Sequence, residues 1–348
     1  MRRTNRRWGL NSTLFATDPW PVIRRAIRGS KANRAAQTAA IAFLGQAKAY
    51  YRGAADAALA EAKPVLLYYC FLNLAKALVL ARQTRTQFTR AAHGLSEQLQ
   101  PGGRELLDAY LDAFESSPTK DNVFDLFWRT LGGTGVQTKQ THRLVRLLPQ
   151  VVPGHRLWAA GAGTDERFVS LEKVQLLENR SARGVWAQLH LQSGDLSRLG
   201  MARKDVLLDS GLAAGWREVQ APTGMIFFEP QRPTTFTSRA ADNVMDAIAV
   251  IEPHLWTTVL DNPPYRKHYL YMCPPSEVSS RMPQLCSIYA IAYYLGSITR
   301  YRPHHFAAII DGEYGPFVEA FLNDQPTQFL FLIASEFAQR EVTRAALA

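Results

Sequence analysis

The stretch AKPVLLYYCFLNLAKALVLARQ, residues Ala62–Gln83, is the part of the chain that decides the fold. Pro64 suits the first turn of a helix, where its missing N–H costs nothing, and the Leu, Ala and Lys residues that follow favour a helix. A helix that is apolar nearly all round must be buried in a large core or in a membrane. Asn73 and Lys76 share one face and argue against lipid exposure. We therefore predict a central core helix with one polar edge.

The composition is that of an ordinary globular protein. The chain has 348 residues, of which 47% are hydrophobic and 20% are charged. No uninterrupted apolar span is long enough to predict a transmembrane helix, and the basic N-terminus lacks the apolar core of a secretory signal. Cys70, Cys273 and Cys286 are odd in number and have no metal-ligand spacing. We therefore predict a cytoplasmic protein without disulfides.

Positive charge is concentrated at the N-terminus. The chain carries a net charge of +10, and its first 34 residues hold nine basic residues against Asp18 alone, a net charge of +8. Such a segment can bind weakly to a polyanion or to an anionic membrane surface. The alternative is a solvated arm packed on an acidic flank of its own protein. The candidate polyanion-binding residues are Arg2, Arg3, Arg6, Arg7, Arg24, Arg25 and Arg28.

The periodicity of apolar residues divides the chain into three regions. We predict an N-terminal helical region over 1–150, an antiparallel β-rich region over 151–275, and a C-terminal helical region over 276–348 that packs on the N-terminal helices. GVWAQLHLQ (Gly184–Gln192) alternates with a period of two, as in a strand, and the short connections around it exclude crossover helices. The predicted fold class is α+β, a mainly helical body with an inserted antiparallel β block.

Shorter elements complete this prediction. Glu105–Phe114 and Thr141–Leu148 show a helical period, and Ala240–Ile251 is expected to form a helix between strands. The Gly-rich segment Gly132–Gly135 lacks the spacing of a phosphate-binding loop and is predicted to be a flexible turn.

Arg300 and His305 are the candidate catalytic residues. An Arg and a His at similar spacing occur in helical nucleases of the HEPN class, where the Arg stabilises phosphate charge and the His assists proton transfer. Pro303 falls between them, and Tyr301 stands where those nucleases usually have a polar residue. In the alternative interpretation, Arg300 binds carbonyls or a carboxylate at a helix end while Tyr301 packs.

Other polar residues are candidates for binding. Asn73 and Lys76 either form a polar site or orient neighbouring helices, and His93 either transfers protons or caps a helix beside Gly94. His304 and His305 alone are too few for zinc, and we predict no metal and no cofactor. The candidate binding residues are Asn73, Lys76, His93, Arg300, Tyr301 and Arg302.

Three segments together resemble the YaaC-like family of bacterial and archaeal proteins. They are KPVLLYYCFLNLAKAL (Lys63–Leu78), AHGLSE (Ala92–Glu97) and YYLGSITRYRPHHF (Tyr293–Phe306), the last continued by FLFLIASEF. Their order and spacing match from about residue 40 to the end of the chain. Neither the Asn-Leu-Ala-Lys core of the first segment nor the Arg-Tyr-x-Pro turn of the third is a catalytic signature.

The resemblance implies a non-enzymatic cytoplasmic sensor or adaptor of a bacterial antiphage defence system, like the JukA-like members of the family. Such a protein is expected to recognise a phage-derived protein or structure and to engage a separate effector protein. One alternative is a HEPN-like ribonuclease that uses Arg300 and His305. Another is a module that binds polyanions or membrane surfaces through the Arg-rich N-terminus.

Overall fold

The structure of the protein is a computed structural model that describes residues 2–4, 13–56, 61–88 and 90–344. Its α-helices are α1 (Trp20–Arg28), α2 (Arg34–Asp56), α3 (Lys63–Ala81), α4 (Val123–Thr130), α5 (Leu144–Leu147), α6 (His155–Ala162), α7 (Ser193–Arg198), α8 (Arg203–Asp209), α9 (Val244–Ala249), α10 (Gln284–Tyr301), α11 (Pro303–Ile310) and α12 (Gly315–Ala338). Short 3-10 helices lie at Leu148–Gln150, Ala240–Asn243, Glu252–His254 and Pro275–Ser280.

The strands are mostly short and fall in several small sheets. They are β1 (Arg2–Thr4), β2 (Leu14–Ala16), β3 (Ala91–Ala92), β4 (Leu95–Leu99), β5 (Ala109–Ala113), β6 (Asp121–Asn122), β7 (Gln140–Arg143), β8 (Phe168–Leu171), β9 (Lys173–Asn179), β10 (Gly184–Gln192), β11 (Trp216–Val219), β12 (Met225–Pro230), β13 (Thr234–Thr235), β14 (Leu255–Val259), β15 (Arg266–Tyr271) and β16 (Val342–Arg344).

The chain forms two compact units. The helical unit comprises Asp18–Thr164 and Ser280–Ala338, and the sheet unit comprises Met1–Thr17, Asp165–Ser279 and Gln339–Ala348. Helices and antiparallel strands thus segregate largely into separate parts of the chain, which confirms the predicted α+β fold class. The helical unit continues past residue 150 to include α6, and the sheet unit takes in β16 near the C-terminus.

The predicted core helix is α3, at the centre of the helical unit. It packs against α2, α4, α10 and α12, and the rings of Phe71 on α3 and Phe329 on α12 stack with centroids 4.0 Å apart. α3 is long and apolar enough to cross a membrane, but 78% of its 18-residue apolar stretch is buried within the protein. That burial is typical of the core helix of a folded protein, and the predicted core helix is confirmed.

A glycine brings α10 close to α3. A Cβ on Gly296 would lie 3.1 Å from the carbonyl oxygen of Pro64 and 3.1 Å from the Cβ of Tyr68. Any larger residue would therefore push the two helices apart. This close approach places the C-terminal end of α10 beside the N-terminal half of α3.

The helical unit also contains strands that the sequence analysis did not predict. β4, β5 and β7 form an antiparallel sheet, and β3 pairs with β6 in parallel. The prediction of a helix over Glu105–Phe114 is wrong, because its second half is β5, in which Leu111 lies opposite Glu97 and His142. A turn closed by hydrogen bonds between Arg104 and Asp108 separates β5 from the preceding residues. Pairing on both edges overrides local helical propensity.

Two other predicted helices are only partly present. The predicted helix Thr141–Leu148 begins as strand β7 and becomes helical only from Leu144. Residues Ala240–Ile251 form the 3-10 helix Ala240–Asn243 followed by α9.

The sheet unit is built on one antiparallel sheet. Its strand order is β1-β9-β10-β12-β11, with β13 also paired to β10, and β10 spans the predicted residues Gly184–Gln192. Val185, Leu189 and Leu191 on β10 belong to the buried core of the unit, and α9 packs against the same strand. β14, β15 and β8 form a second antiparallel sheet, and β16 pairs with β2 in parallel.

Candidate functional site

One face of α3 carries the polar residues that the sequence analysis singled out. Tyr69, Asn73 and Lys76 are spaced four and three residues apart, so they lie on the same side of the helix. The adjacent helix α2 contributes Phe43 and Tyr50. The rings of Tyr50 and Tyr69 stack with centroids 5.5 Å apart, and Lys76 Nζ lies 5.2 Å from the centroid of the Phe43 ring. Aromatic rings and a cation therefore share this face.

Arg300 joins this face from the last turn of α10. Its Nε donates to the carbonyl oxygen of Gly296 at 3.1 Å, and its Nη1 donates to the hydroxyl of Tyr69 at 3.0 Å. The guanidinium carbon lies 5.9, 5.7 and 5.1 Å from the ring centroids of Tyr68, Tyr69 and Tyr301. These contacts hold the guanidinium group by cation–π attraction and hydrogen bonds, without a carboxylate.

His93, just before β4, completes the group. Its Nδ1 is hydrogen-bonded to the hydroxyl of Tyr68, and its ring centroid lies 6.2 Å from that of Tyr293. Partial burial of the imidazole lowers the pKa of His93, and the positive charges of Arg300 and Lys76 lower it further. Burial raises the pKa of Tyr68, so its hydroxyl stays protonated in this hydrogen bond.

The positive charges of this group have no counter-ion in the described part of the chain. No Asp or Glu side chain there forms an ion pair with Lys76 or Arg300. Burial lowers the pKa of Lys76, as expected for an ammonium group whose charge is not compensated. We define the cationic–aromatic cluster as Lys76, His93 and Arg300 with the rings of Phe43, Tyr50, Tyr69 and Tyr301.

A second polar group lies next to this cluster, and its cations are paired with carboxylates. Arg302 Nε donates to Glu105 Oε1 at 2.7 Å, and Arg302 Nη1 lies 3.5 Å from Glu97 Oε1. His305 Nδ1 lies 3.0 Å from Glu105 Oε1, and the hydroxyl of Tyr294 also donates to Glu105. We call Glu105, Arg302, His305, Tyr294 and Glu97 the Glu105 network.

The Glu105 network keeps its central carboxylate ionised. Burial of the Glu105 side chain, which is 6% exposed, acts to raise its pKa. The hydrogen bonds from Tyr294, His305 and Arg302 act in the opposite direction and prevail, so the pKa of Glu105 is lowered. The network therefore ties the loop before β5 to α10 and α11 by charge-assisted hydrogen bonds.

The proposed catalytic pair is divided between these two groups. Arg300 contacts tyrosine rings and a backbone carbonyl, whereas His305 contacts Glu105. Tyr301 is 68% exposed and its ring lies against the Arg300 guanidinium group. Arg302, a candidate binding residue, has both carboxylates of the Glu105 network as partners.

Asn73 lies between Tyr69 and Lys76 on α3 but is only 5% exposed, so little of it is accessible to a ligand. The cationic–aromatic cluster thus includes Lys76, His93, Arg300 and Tyr301 from the candidate binding residues.

Metal and thiol chemistry find no support in the described residues. They contain no group of three His, Cys, Asp or Glu side chains that could hold a metal ion. Cys70, Cys273 and Cys286 are buried free thiols, and burial raises the pKa of Cys70 and Cys286. Such thiols are poor nucleophiles at neutral pH.

The candidate polyanion-binding arginines fall in three places. Arg24, Arg25 and Arg28 lie on the exposed side of α1, whose other side buries Trp20, Ile23 and Ile27. Arg2 and Arg3 have their backbone in β1, opposite Glu178 and Leu177 of β9. Arg6 and Arg7 lie outside the described residues.

Several residues of the two groups were missed by the sequence analysis. The seven-residue spacings from Phe43 to Tyr50 and from Tyr69 to Lys76 are a signal that places each pair on one helix face. Glu105 gave no such signal, because its role depends on contacts with residues far away in the sequence.

Comparison with known proteins identifies the family. A family model described as YaaC-like Protein matches residues 9–337, which is nearly the whole chain, and the protein therefore belongs to the YaaC-like family. No curated protein matches the chain, and no solved structure matches it.

Proposed function

We propose that this YaaC-like protein is a cytoplasmic, non-enzymatic sensor or adaptor of a bacterial antiphage defence system, similar to the JukA-like proteins. In this role it recognises a phage-derived protein or structure and engages a separate effector protein. The cationic–aromatic cluster is the recognition surface. It requires no cofactor.

The observation that carries this proposal is the division of Arg300 and His305 between two groups. Ribonuclease chemistry needs an Arg and a His directed at one phosphate, but His305 shares the Glu105 carboxylate with Arg302. Lys76 and Arg300 have no counter-ion in the described residues, and Tyr301 beside Arg300 is exposed. Uncompensated charge beside an exposed aromatic ring favours binding of a partner over catalysis.

The experiment is a phage-protection assay in bacteria that express the protein together with its neighbouring genes. Arg300→Gln and Lys76→Gln should each abolish protection, measured as plating efficiency, while the protein stays folded and abundant. Arg24→Gln, an exposed arginine on α1, is the matched control and should protect like the wild type. Protection that persists in both cluster variants contradicts the proposal.

The same strains and the purified protein also test the ribonuclease alternative. His305→Ala should retain protection, and the wild-type protein should not cleave RNA. RNA cleavage by the purified protein that is lost in His305→Ala would establish the alternative and overturn the proposed function.

The polyanion- or membrane-binding module is a second candidate, and one observation favours it. Arg24, Arg25 and Arg28 are exposed together on α1, and no described carboxylate forms an ion pair with them. Sequence-independent attraction to phosphates follows from such a surface. This activity is compatible with a sensor and is tested separately below.

A further inference from the structure

The ligand of the cationic–aromatic cluster must bring negative charge. Lys76 and Arg300 are partly buried cations without a carboxylate partner in the described residues, and their field lowers the pKa of His93. Two residues further along the chain, Arg302 has two carboxylates within 3.5 Å. The lack of a counter-ion at Arg300 is thus specific to the cluster, and an anionic ligand would supply the missing negative charge.

The free donors of the cluster suit a phosphoryl group. Arg300 uses Nε and one N–H of Nη1 for protein hydrogen bonds, which leaves Nη2 without a protein partner in the described residues. Lys76 adds a compact ammonium donor, and the cluster also contains the imidazole of His93. Arg and Lys together are the usual donors for phosphate oxygens. Because Tyr69 and Gly296 already hold the guanidinium group, ordering it on binding costs little.

The aromatic rings of the cluster identify the rest of the ligand. Tyr301, which is 68% exposed, lies against Arg300, and so does the half-buried Tyr69, which is stacked on Tyr50. A nucleobase stacks well on tyrosine rings and on a guanidinium plane, and such stacking tolerates any base. A lone inorganic phosphate would leave these rings unused.

We propose that the cationic–aromatic cluster binds a nucleoside phosphate, with the phosphoryl group at Lys76, His93 and Arg300 and the base against Tyr301. This inference specifies which class of ligand the recognition surface binds. It rests on the proposed function only in taking the cationic–aromatic cluster to be that surface. The ligand is either a free nucleotide or the phosphorylated end of a nucleic acid chain, since both present the same chemistry.

The test is titration of the purified full-length protein by calorimetry at low salt. The probes are ATP, adenosine, inorganic phosphate, and one short oligonucleotide with and without a 5′-phosphate. ATP should bind at least about ten-fold more tightly than adenosine and than inorganic phosphate. Tighter binding of the 5′-phosphorylated oligonucleotide than of ATP would identify the nucleic acid end as the source, and the reverse order would identify a free nucleotide.

Three variants separate ligand binding from folding. Arg300→Gln and Lys76→Met should each weaken ATP binding about ten-fold or more, and Lys204→Gln, which removes an exposed positive charge on α8, should bind like the wild type. Lys76→Met also removes a partly buried, uncompensated charge, so its melting temperature should equal or exceed that of the wild type. Loss of binding with retained stability is a result that a structural role of Lys76 would not give.

The inference is overturned if no phosphorylated probe binds, if adenosine binds as well as ATP, or if Lys204→Gln weakens binding as much as Arg300→Gln. A protein that protects cells through Arg300 but binds no phosphorylated probe would overturn this inference and leave the proposed function intact. A protein that binds ATP through Arg300 but gives no phage protection would leave this inference intact and overturn the proposed function.

Discussion

Arg300 and Arg302 are separated by one residue at the end of α10, yet their surroundings are opposite. Arg302 lies 26% exposed between the carboxylates of Glu97 and Glu105. Arg300 lies among tyrosine rings without a carboxylate partner in the described residues. A neutralised charge of this kind stabilises a fold, whereas an uncompensated one is retained at some cost in stability. Arg302 therefore stabilises the fold, and Arg300 is the residue that we propose contacts a ligand.

The largest effect is expected from removing the centre of the Glu105 network. Glu105→Ala leaves Arg302 and His305, which are 26% and 35% exposed, without their shared carboxylate. Breaking a buried ion pair in this way costs several kcal/mol, and the partial exposure of both partners reduces the cost to about 2 to 3 kcal/mol. Urea unfolding measures it.

The matched control is Glu319→Ala, which removes an exposed carboxylate of α12 and should change the free energy of unfolding by less than about 0.5 kcal/mol. Equal effects of the two changes would contradict the structural role of the Glu105 network.

His142 on β7 extends the comparison to a buried basic side chain. It is 1% exposed, and its Nε2 has no hydrogen-bond partner among the described residues. Burial lowers the pKa of His142 to about 4, against a smaller opposing effect of Asp112. The folded protein therefore holds His142 neutral, while the unfolded chain binds a proton below its ordinary pKa of about 6.5.

As the pH falls from 7 to 5, the unfolded state gains this proton and the folded state does not. The free energy of unfolding should therefore fall by about 2 kcal/mol through His142, with further loss until the pH reaches the folded-state value. His142→Gln should remove that part of the acid sensitivity in urea unfolding at the two pH values. An unchanged pH dependence in the variant would show that His142 takes up its proton alike in the folded and unfolded states.

The sequence predicted the elements whose secondary structure follows from their own residues. It missed the elements whose secondary structure depends on pairing with other segments. α3 was predictable because an almost continuous apolar run has to be buried, and β10 because strict alternation fits only a strand. ELLDAYLDAF (Glu105–Phe114) fits a helix and a strand about equally well. The second half of this segment forms a strand because it pairs with β4 and β7, and the sequence of the segment does not reveal either partner.

The residues of the two polar groups also differ in how far the sequence reveals them. Lys76 drew attention as a cation in an apolar helix, His93 as an imidazole beside Gly94, and Arg300 by its spacing to His305. Their convergence depends on the packing of α10 on α3 at Gly296, which no local pattern reveals. The same packing decides that Arg302, and not Arg300, meets Glu105.

The next prediction tests the two arginines directly. Arg302→Met leaves Glu97 and Glu105 short of a cation and should lower the free energy of unfolding by about 1.5 kcal/mol. Arg300→Met keeps much of the packing on the tyrosine rings and should lower it by about 0.5 kcal/mol. Parallel urea unfolding of the two variants measures the difference. A larger loss for Arg300→Met would reverse the assignment of the two residues.

The smallest effect on stability is expected on α1, where positive charge is uncompensated but also solvated. Arg24, Arg25 and Arg28 are exposed, so reversing all three to Glu should change the free energy of unfolding by less than about 1 kcal/mol. The same change should abolish weak, salt-dependent binding to anionic vesicles and to DNA or RNA, because neutralised phosphates release their counter-ions.

Co-sedimentation with anionic vesicles and gel shifts with DNA and RNA across a salt series measure this binding. Arg300→Gln is the control: it removes a cluster charge but leaves the α1 surface intact, so polyanion binding should fall only slightly. If the wild-type protein has no affinity for any polyanion at low salt, the α1 arginines are only a solvated helix face. If Arg300→Gln abolishes the binding and the α1 variant retains it, long-range attraction belongs to the cationic–aromatic cluster, and uncompensated charge there acts on large polyanions as well as on a bound nucleotide.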